Sequence, residues 1–194
     1  MKETLKQEYK KAKRKSAKPM LWVSMISMTM MFAGLTSAYV VSRKRSDWVS
    51  FDLPNAFYTS TILIVLSSIT FILAKYFIKK NNYKLTSTFL ITTLLLGIGF
   101  AYFQYQGIFI ELYSEGLVFA GEKSTVKSSF IGGITIAHLA HIAAGIVVLL
   151  VVIFNHFNKK YSSKDSLGLE LGAIFWHFVD ILWIYLFLFF YFIR

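Results

Sequence analysis

Residues 128–154 read SSFIGGITIAHLAHIAAGIVVLLVVIF, a stretch without one Lys, Arg, Asp or Glu. A helix needs about 20 mostly apolar residues, at about 1.5 Å of rise each, to cross the ~30 Å hydrocarbon layer of a bilayer. This segment is longer than that, and it reads as a membrane span. Outward from it, four more such stretches follow the same rule, so five spans are expected, approximately Met20 to Val41, Ala56 to Ile78, Ser87 to Ile110, Ser128 to Phe154 and Leu169 to Ile193. A membrane β-barrel is excluded, because its strands alternate apolar and polar residues. The run Ile62, Leu63, Ile64, Val65, Leu66 does not alternate. The fold class is therefore all-α, a polytopic membrane protein of five transmembrane helices.

Composition agrees with that reading. Of the 194 residues, 56% are hydrophobic and 16% charged, above and below the respective averages of soluble domains. The formal net charge of +11 does not indicate nucleic acid as a partner, because the charges fall in the gaps between apolar runs. With no cysteine in the chain, there is no disulfide framework, thiolate metal site, iron–sulfur cluster or cysteine nucleophile. No nucleotide-binding loop, nucleophile elbow or zincin-type helix is present either, so an enzyme acting alone lacks parts.

Two units are expected: residues 1–18 as a basic cytoplasmic N-terminal arm, and residues 19–194 as a single five-helix membrane domain. The arm holds eight Lys/Arg against two Glu and suits an anionic membrane face. Pro19 is expected in the first helical turn, where proline is tolerated best, separating arm from span. The first apolar run is too long for a signal peptide and reads as a retained span. With the N-terminus inside, fifteen of the 21 Lys/Arg flank the inner ends and six the outer ones. The positive-inside bias then favours an N-inside, C-outside topology.

Ionisable groups inside a bilayer are costly and mark sites. The candidates are His138, His141, His177 and Asp180, with Glu170 at the inner rim. Glu170, Ala173, His177 and Asp180 are spaced to share one helical stripe, and Trp176 and Trp183 line the next. Asp180 lies ten residues beyond Glu170, about 15 Å into the membrane. His138 and His141 reach a similar depth on the antiparallel fourth span. The fourth and fifth spans are expected to face each other there, with His138 or His141 hydrogen-bonding to the Asp180 or His177 side. The cluster reads as an interhelical polar clamp, a proton path, a metal or haem site, or a lipid headgroup site. Metal ligation by His138 and His141 across one haem is excluded by their spacing on a single helix. Small residues four apart, Gly34 with Ala38, Ala140 with Ala144, His141 with Gly145 and Gly168 with Gly172, permit close helix approach. Gln104 and Glu111, with Glu115 and Glu122 of the outer loop, read as solvated or interfacial. Trp22, Trp48, Tyr76, Tyr113, Phe157 and Tyr191 read as interface anchors.

Residues 176–183, WHFVDILW, resemble the signature of subunit III of the haem–copper (cytochrome c) oxidases. Gly133 through His141 with Gly145 resembles that family's histidine-containing helix. Phe32 to Tyr39, and the stretch from Leu53-Pro54 through Ser60-Thr61 to Ser67-Ser68, are similar to its earlier segments in type and order, and Gln104 falls where its third span usually has a glutamine. The resemblance runs from about residue 21 to 193. It implies the family's short five-span bacterial form, N-inside and C-outside, in the bacterial inner membrane. It also implies a non-catalytic subunit with no cofactor of its own, haem and copper residing in partner subunits. The implied partners are the catalytic subunit I and other subunits of a terminal oxidase, within a larger respiratory supercomplex. A bound phospholipid is implied in a groove, with the first two helices splayed from the last three, together with support for proton uptake. Met28 departs from the pattern, standing where many members carry an acidic residue, so no role of that carboxylate transfers. The departure leaves room for the accessory protein of nitric oxide reductases. Read from its residues alone, the chain also admits a b-type haem electron carrier through His177 and His138 or His141, or a small transporter.

Overall fold

The computed structural model describes residues 2–45, 48, 52–114, 120–121, 124–162 and 165–193. Glu115 and Glu122 lie outside the described residues. Five helices are long and apolar enough to span a membrane, and no β-strand occurs among the described residues. They are α1 (Lys2–Ser42), α2 (Asn55–Lys79), α3 (Tyr83–Gln106, continued by a π-turn Gly107–Glu111 and a last turn Leu112–Ser114), α4 (Val126–Phe157) and α5 (Leu167–Phe192).

α3 and α4 begin where the sequence supplies a side-chain partner for their first amides. Thr125 and Ser128 form a reciprocal capping box before α4, with Ser128 N donating to Thr125 Oγ1 at 3.1 Å and Thr125 N to Ser128 Oγ at 3.0 Å. Asn82 caps α3 by accepting from Leu85 N at 3.2 Å. The turn ahead of it places Asn81 at φ 56°, which asparagine tolerates. Exposed hydroxyls satisfy themselves on the helix behind them, as Thr92 does on Thr88 O at 2.9 Å and Thr88 on Lys84 O at 3.1 Å.

α1 departs from expectation. It runs without interruption from Lys2, with Pro19 inside it, so the proline does not separate an arm from a span. Its 41 residues make a rod of about 60 Å, twice the hydrocarbon thickness. Missing the Pro19 amide costs one bond to the carbonyl four residues back, at a level where exposed Lys15 and Lys18 bring water to the helix.

α2 and α3 form a closely packed antiparallel hairpin, α3 packs on α4, and α5 is the central helix, touching α2, α4 and α1. α1 lies on α4 and α5 at the periphery. The expected splaying of the first two helices is therefore corrected: α2 belongs to the inner bundle, and α1 alone stands apart. The physical reason lies in α2's buried stripe, Phe57, Ser60, Ile64, Ser67, Phe71 and Ala74, which repeats every three to four residues and so must be covered along its whole length.

The core is aromatic. Phe57, Phe71, Phe100, Trp176 and Trp183 are almost wholly buried, and Tyr39 joins α1 to the bundle through Trp48, Phe130 and Phe189, with ring centroids 4.9 to 6.0 Å apart.

Candidate functional site

Two sets of α5 side chains converge on α2 at a seven-residue interval. Trp176 Nε1 donates to Ser67 Oγ at 3.1 Å, and Trp183 Nε1 donates to Thr61 Oγ1 at 2.9 Å. Gln104 Nε2 of α3 donates to Ser60 Oγ at 2.7 Å. The three bonds are a ladder that holds α2, α3 and α5 in register, and interhelical bonds of this kind stabilise membrane bundles by about 0.6 to 2 kcal/mol each. Trp176 fits only because of glycines opposite it. A Cβ on Gly97 would stand 2.6 Å from Trp176 Cη2, and one on Gly145 3.3 Å from Cε3.

On the neighbouring stripe of α5, His177 Nδ1 and Ser68 Oγ are 2.6 Å apart, and the imidazole lies against Phe71 at 5.9 Å. Asp180 is 2% exposed. Neither of its carboxyl oxygens has a hydrogen-bond partner, and Ser68 stands beside it. Glu170 sits at the rim, paired with Lys18 Nζ of α1 at 3.0 Å and accepting from Ser166 Oγ at 3.3 Å.

The histidines of α4 do not complete this cluster. His138 is fully buried, both of its ring nitrogens are unpartnered, and its ring is boxed by Phe32, Phe100 and Trp183 at 6.2, 6.0 and 5.2 Å. His141 Nδ1 donates to Ala137 O of its own helix at 2.7 Å. The expected hydrogen bond from α4 to His177 or Asp180 is thus overturned. The clamp to α5 comes from α2, because the bulky Trp176 and Trp183 fill the seam between α4 and α5 and turn His177 to the other side. His177 and His138 likewise do not face each other across a haem. Among the described residues, no three His, Cys, Asp or Glu side chains are grouped as a metal ion requires.

Gln104 is also corrected, and Glu111 gains a partner. Gln104 is fully buried, and Glu111 is half-buried, its Oε2 accepting from Ala56 N of α2 at 3.2 Å. The extra residue in the π-turn swings Glu111 towards α2. Of the small-residue pairs, Gly145 and Gly172 make close contacts, a Cβ on Gly172 lying 2.9 Å from Val152 Cγ2, whereas Gly34 faces open space. Sequence reasoning missed Gly97, and it named Ser60, Thr61, Ser67 and Ser68 only within the family-like stretch, not as partners of Gln104, Trp176, His177 and Trp183. The seven-residue intervals 60 to 67 and 61 to 68 put these hydroxyls on neighbouring stripes of α2, although the two tryptophans meet Ser67 and Thr61, six residues apart.

A groove of about 530 Å³ opens between α1, α4 and α5, lined chiefly by Leu21, Val148, Val151, Leu171 and Phe175. At the end of the bundle where α1 meets the α4–α5 connection it widens into a polar mouth of about 660 Å³ with Arg14, Asn155, Lys160, Tyr161 and Asp165 on its walls. Arg14 donates to both carboxylate oxygens of Asp165, at 2.9 and 2.5 Å. Lys160 Nζ donates to Asn155 Oδ1 at 3.2 Å. Burial pushes the Tyr161 hydroxyl above its ordinary pKa, so it stays neutral at the mouth. An apolar trough with a net positive, hydrogen-bonding entrance matches an amphipathic molecule whose head is anionic.

The family model for cytochrome c oxidase subunit III matches residues 1–194. Among curated relatives, the cytochrome c oxidase subunit 3 of Alkalihalophilus pseudofirmus is 26% identical over 156 residues, covering 80% of this chain and 73% of the relative. That of Bacillus sp. (strain PS3) is 25% identical over 173 residues, covering 86% and 80%. That of Rhipicephalus sanguineus is 34% identical over 143 residues, covering 73% of this chain and 51% of the relative, so the chain spans about half of that longer protein. The helical bundle, the tryptophan ladder around WHFVDILW and a match that runs the whole length together place this chain in the cytochrome c oxidase subunit III family.

Proposed function

We propose that the chain is the non-catalytic subunit III of a haem–copper terminal oxidase, a five-span protein that stabilises the catalytic subunit, binds phospholipid and supports proton uptake. The whole-length family match carries this reading. The haem and copper of the complex reside in partner subunits, and the chain's work is mechanical and electrostatic.

The lateral groove supports the lipid part. An acyl chain lying along Leu21, Val148, Val151 and Phe175 would put its phosphate at Lys160 and Arg14, where each nearby cation attracts an anionic headgroup by about 1 kcal/mol. A lipid held there would also tie peripheral α1 to α4 and α5. Placing the groove's mouth on the cytoplasmic side follows from the lysine bias, which favours N-inside and C-outside in a bacterial inner membrane. Residues 1–18 are the basic cytoplasmic N-terminal arm, helical from Lys2, and residues 19–194 are the membrane domain.

The deciding experiment is purification of the tagged chain from its native membrane in mild detergent, with a reduced-minus-oxidised visible spectrum of the eluate. Oxidase bands that co-elute with a larger multi-span subunit, and leave when the complex is dissociated, support the reading. An eluate without an oxidase overturns it. Co-elution of a nitric oxide reductase would assign the chain to that complex instead.

A further inference from the structure

The stripe of α5 that faces α2 carries an ordered series of proton-binding groups from the membrane rim to its middle. Glu170 is at the rim, with Lys18 paired to it and Lys75 of α2 acting electrostatically on it and on His177. His177 is seven residues further, about 10 Å deeper, and Asp180 another ~5 Å beyond. His177 Nδ1 is in direct contact with Ser68 Oγ at 2.6 Å, and Ser68 stands beside the Asp180 carboxyl. Asp180 has no ion-pair partner among the described residues, is 2% exposed, and both its oxygens are unpartnered. A structural clamp would have used those oxygens. The ladder that holds α2 to α5 is made by Trp176 and Trp183, and Asp180 takes no part in it.

We infer that Asp180 is a proton-binding site in the middle of the membrane, loaded from the basic end of the bundle through His177 and Ser68. His177 takes up a proton at Nε2 and releases the Nδ1 proton to Ser68 Oγ, while the Ser68 hydroxyl passes its own proton to an Asp180 oxygen. One bond forms as one breaks at the imidazole and at the hydroxyl, and no electrons change hands. The charged and titratable groups facing this line are Lys75 from α2, Lys18 from α1 and Glu170 from α5, with His138 of α4 behind the Trp183 ring. A neutral, protonated Asp180 is the form that a carboxyl without a charge partner adopts in hydrocarbon.

The inference deepens the supporting role in proton uptake proposed above. Exchange at Asp180 is read on the chain without any oxidase, so either idea can fail while the other stands. The test is infrared spectroscopy of the full chain in phospholipid nanodiscs, following exchange into ²H₂O. Expected is a protonated-carboxyl C=O band that moves when aspartate is labelled with ¹³C at its side-chain carboxyl and is lost in Asp180→Asn. Its exchange should slow on the order of a hundredfold in Ser68→Ala and His177→Phe, the usual worth of a positioned proton donor, and recover in Ser68→Thr. Absence of a label-sensitive band in the unmutated chain overturns the inference, whatever the folding of Asp180→Asn. So does a band that survives Asp180→Asn, or exchange unchanged in both relay variants.

Discussion

Trp176 owes its place to what is missing opposite it. The ring end lies where a Cβ on Gly97 would come within 2.6 Å, while Nε1 is fixed by Ser67, so the indole has no room to retreat. Gly97→Ala is therefore expected to destabilise the bundle by about 1 to 3 kcal/mol, the usual cost of overpacking, read as a lower melting temperature of the chain in detergent. Gly34→Ala, which meets open space, should leave that temperature unchanged and serves as the control. Trp183→Phe keeps most of the ring packing against Phe57 and Phe100 and loses one hydrogen bond to Thr61. A loss of about 1 kcal/mol is expected, with Thr61→Val giving a similar loss and the double variant little more. The residues of this ladder were half legible beforehand: the tryptophan stripe is visible in a seven-residue interval, but which serine or threonine it meets depends on the neighbouring helix.

At the scale of elements, α1 is the peripheral member, packed through Phe32 and Tyr39 and held by few polar attachments among the described residues. Arg14 with Asp165 and Lys18 with Glu170 pin it at the basic end, and Thr36 Oγ1 meets Tyr185 OH at 3.1 Å further along. Both ion pairs are substantially exposed, so they are screened by salt and act on position more than on stability. Asp165→Lys should increase the mobility of a spin label at the basic end of α1 and leave the melting temperature nearly unchanged; raising salt on the unmutated chain should move mobility the same way. The α2–α3 pair is tied differently. Glu111 accepts from the Ala56 amide in the first turn of α2, where a carboxylate opposes the positive end of the helix dipole. Glu111→Gln should cost about 0.5 to 1 kcal/mol, and hydrogen exchange should quicken at Ala56 and its neighbours while the middle of α2 stays protected. Glu111 reads as interfacial in the sequence because its partner is an amide 55 residues earlier, brought near by a π-turn that no composition rule announces.

For the whole molecule, the groove between α1 and the α4–α5 pair is the feature that links fold to assembly. If an anionic phospholipid bridges it, Lys160→Glu should reduce the phospholipid retained through purification by about one molecule per chain, counted by phosphorus analysis, and should weaken co-elution of the oxidase more at high salt than at low. The five spans, their all-helical class and the family were settled by the sequence, because a bilayer admits so few solutions that long apolar runs specify their own secondary structure, and because WHFVDILW is a local signature. Which helix meets which was decided only in three dimensions. Every span shows apolar residues on all sides, so hydropathy does not say which face is covered, and the outcome turned on complementary volumes and hydrogen bonds: Trp176 against Gly97 and Gly145, and Ser68 rather than His138 against His177. The placing of α2 inside the bundle, and of α1 alone outside it, is a property of those contacts between distant residues and is not written in any one segment.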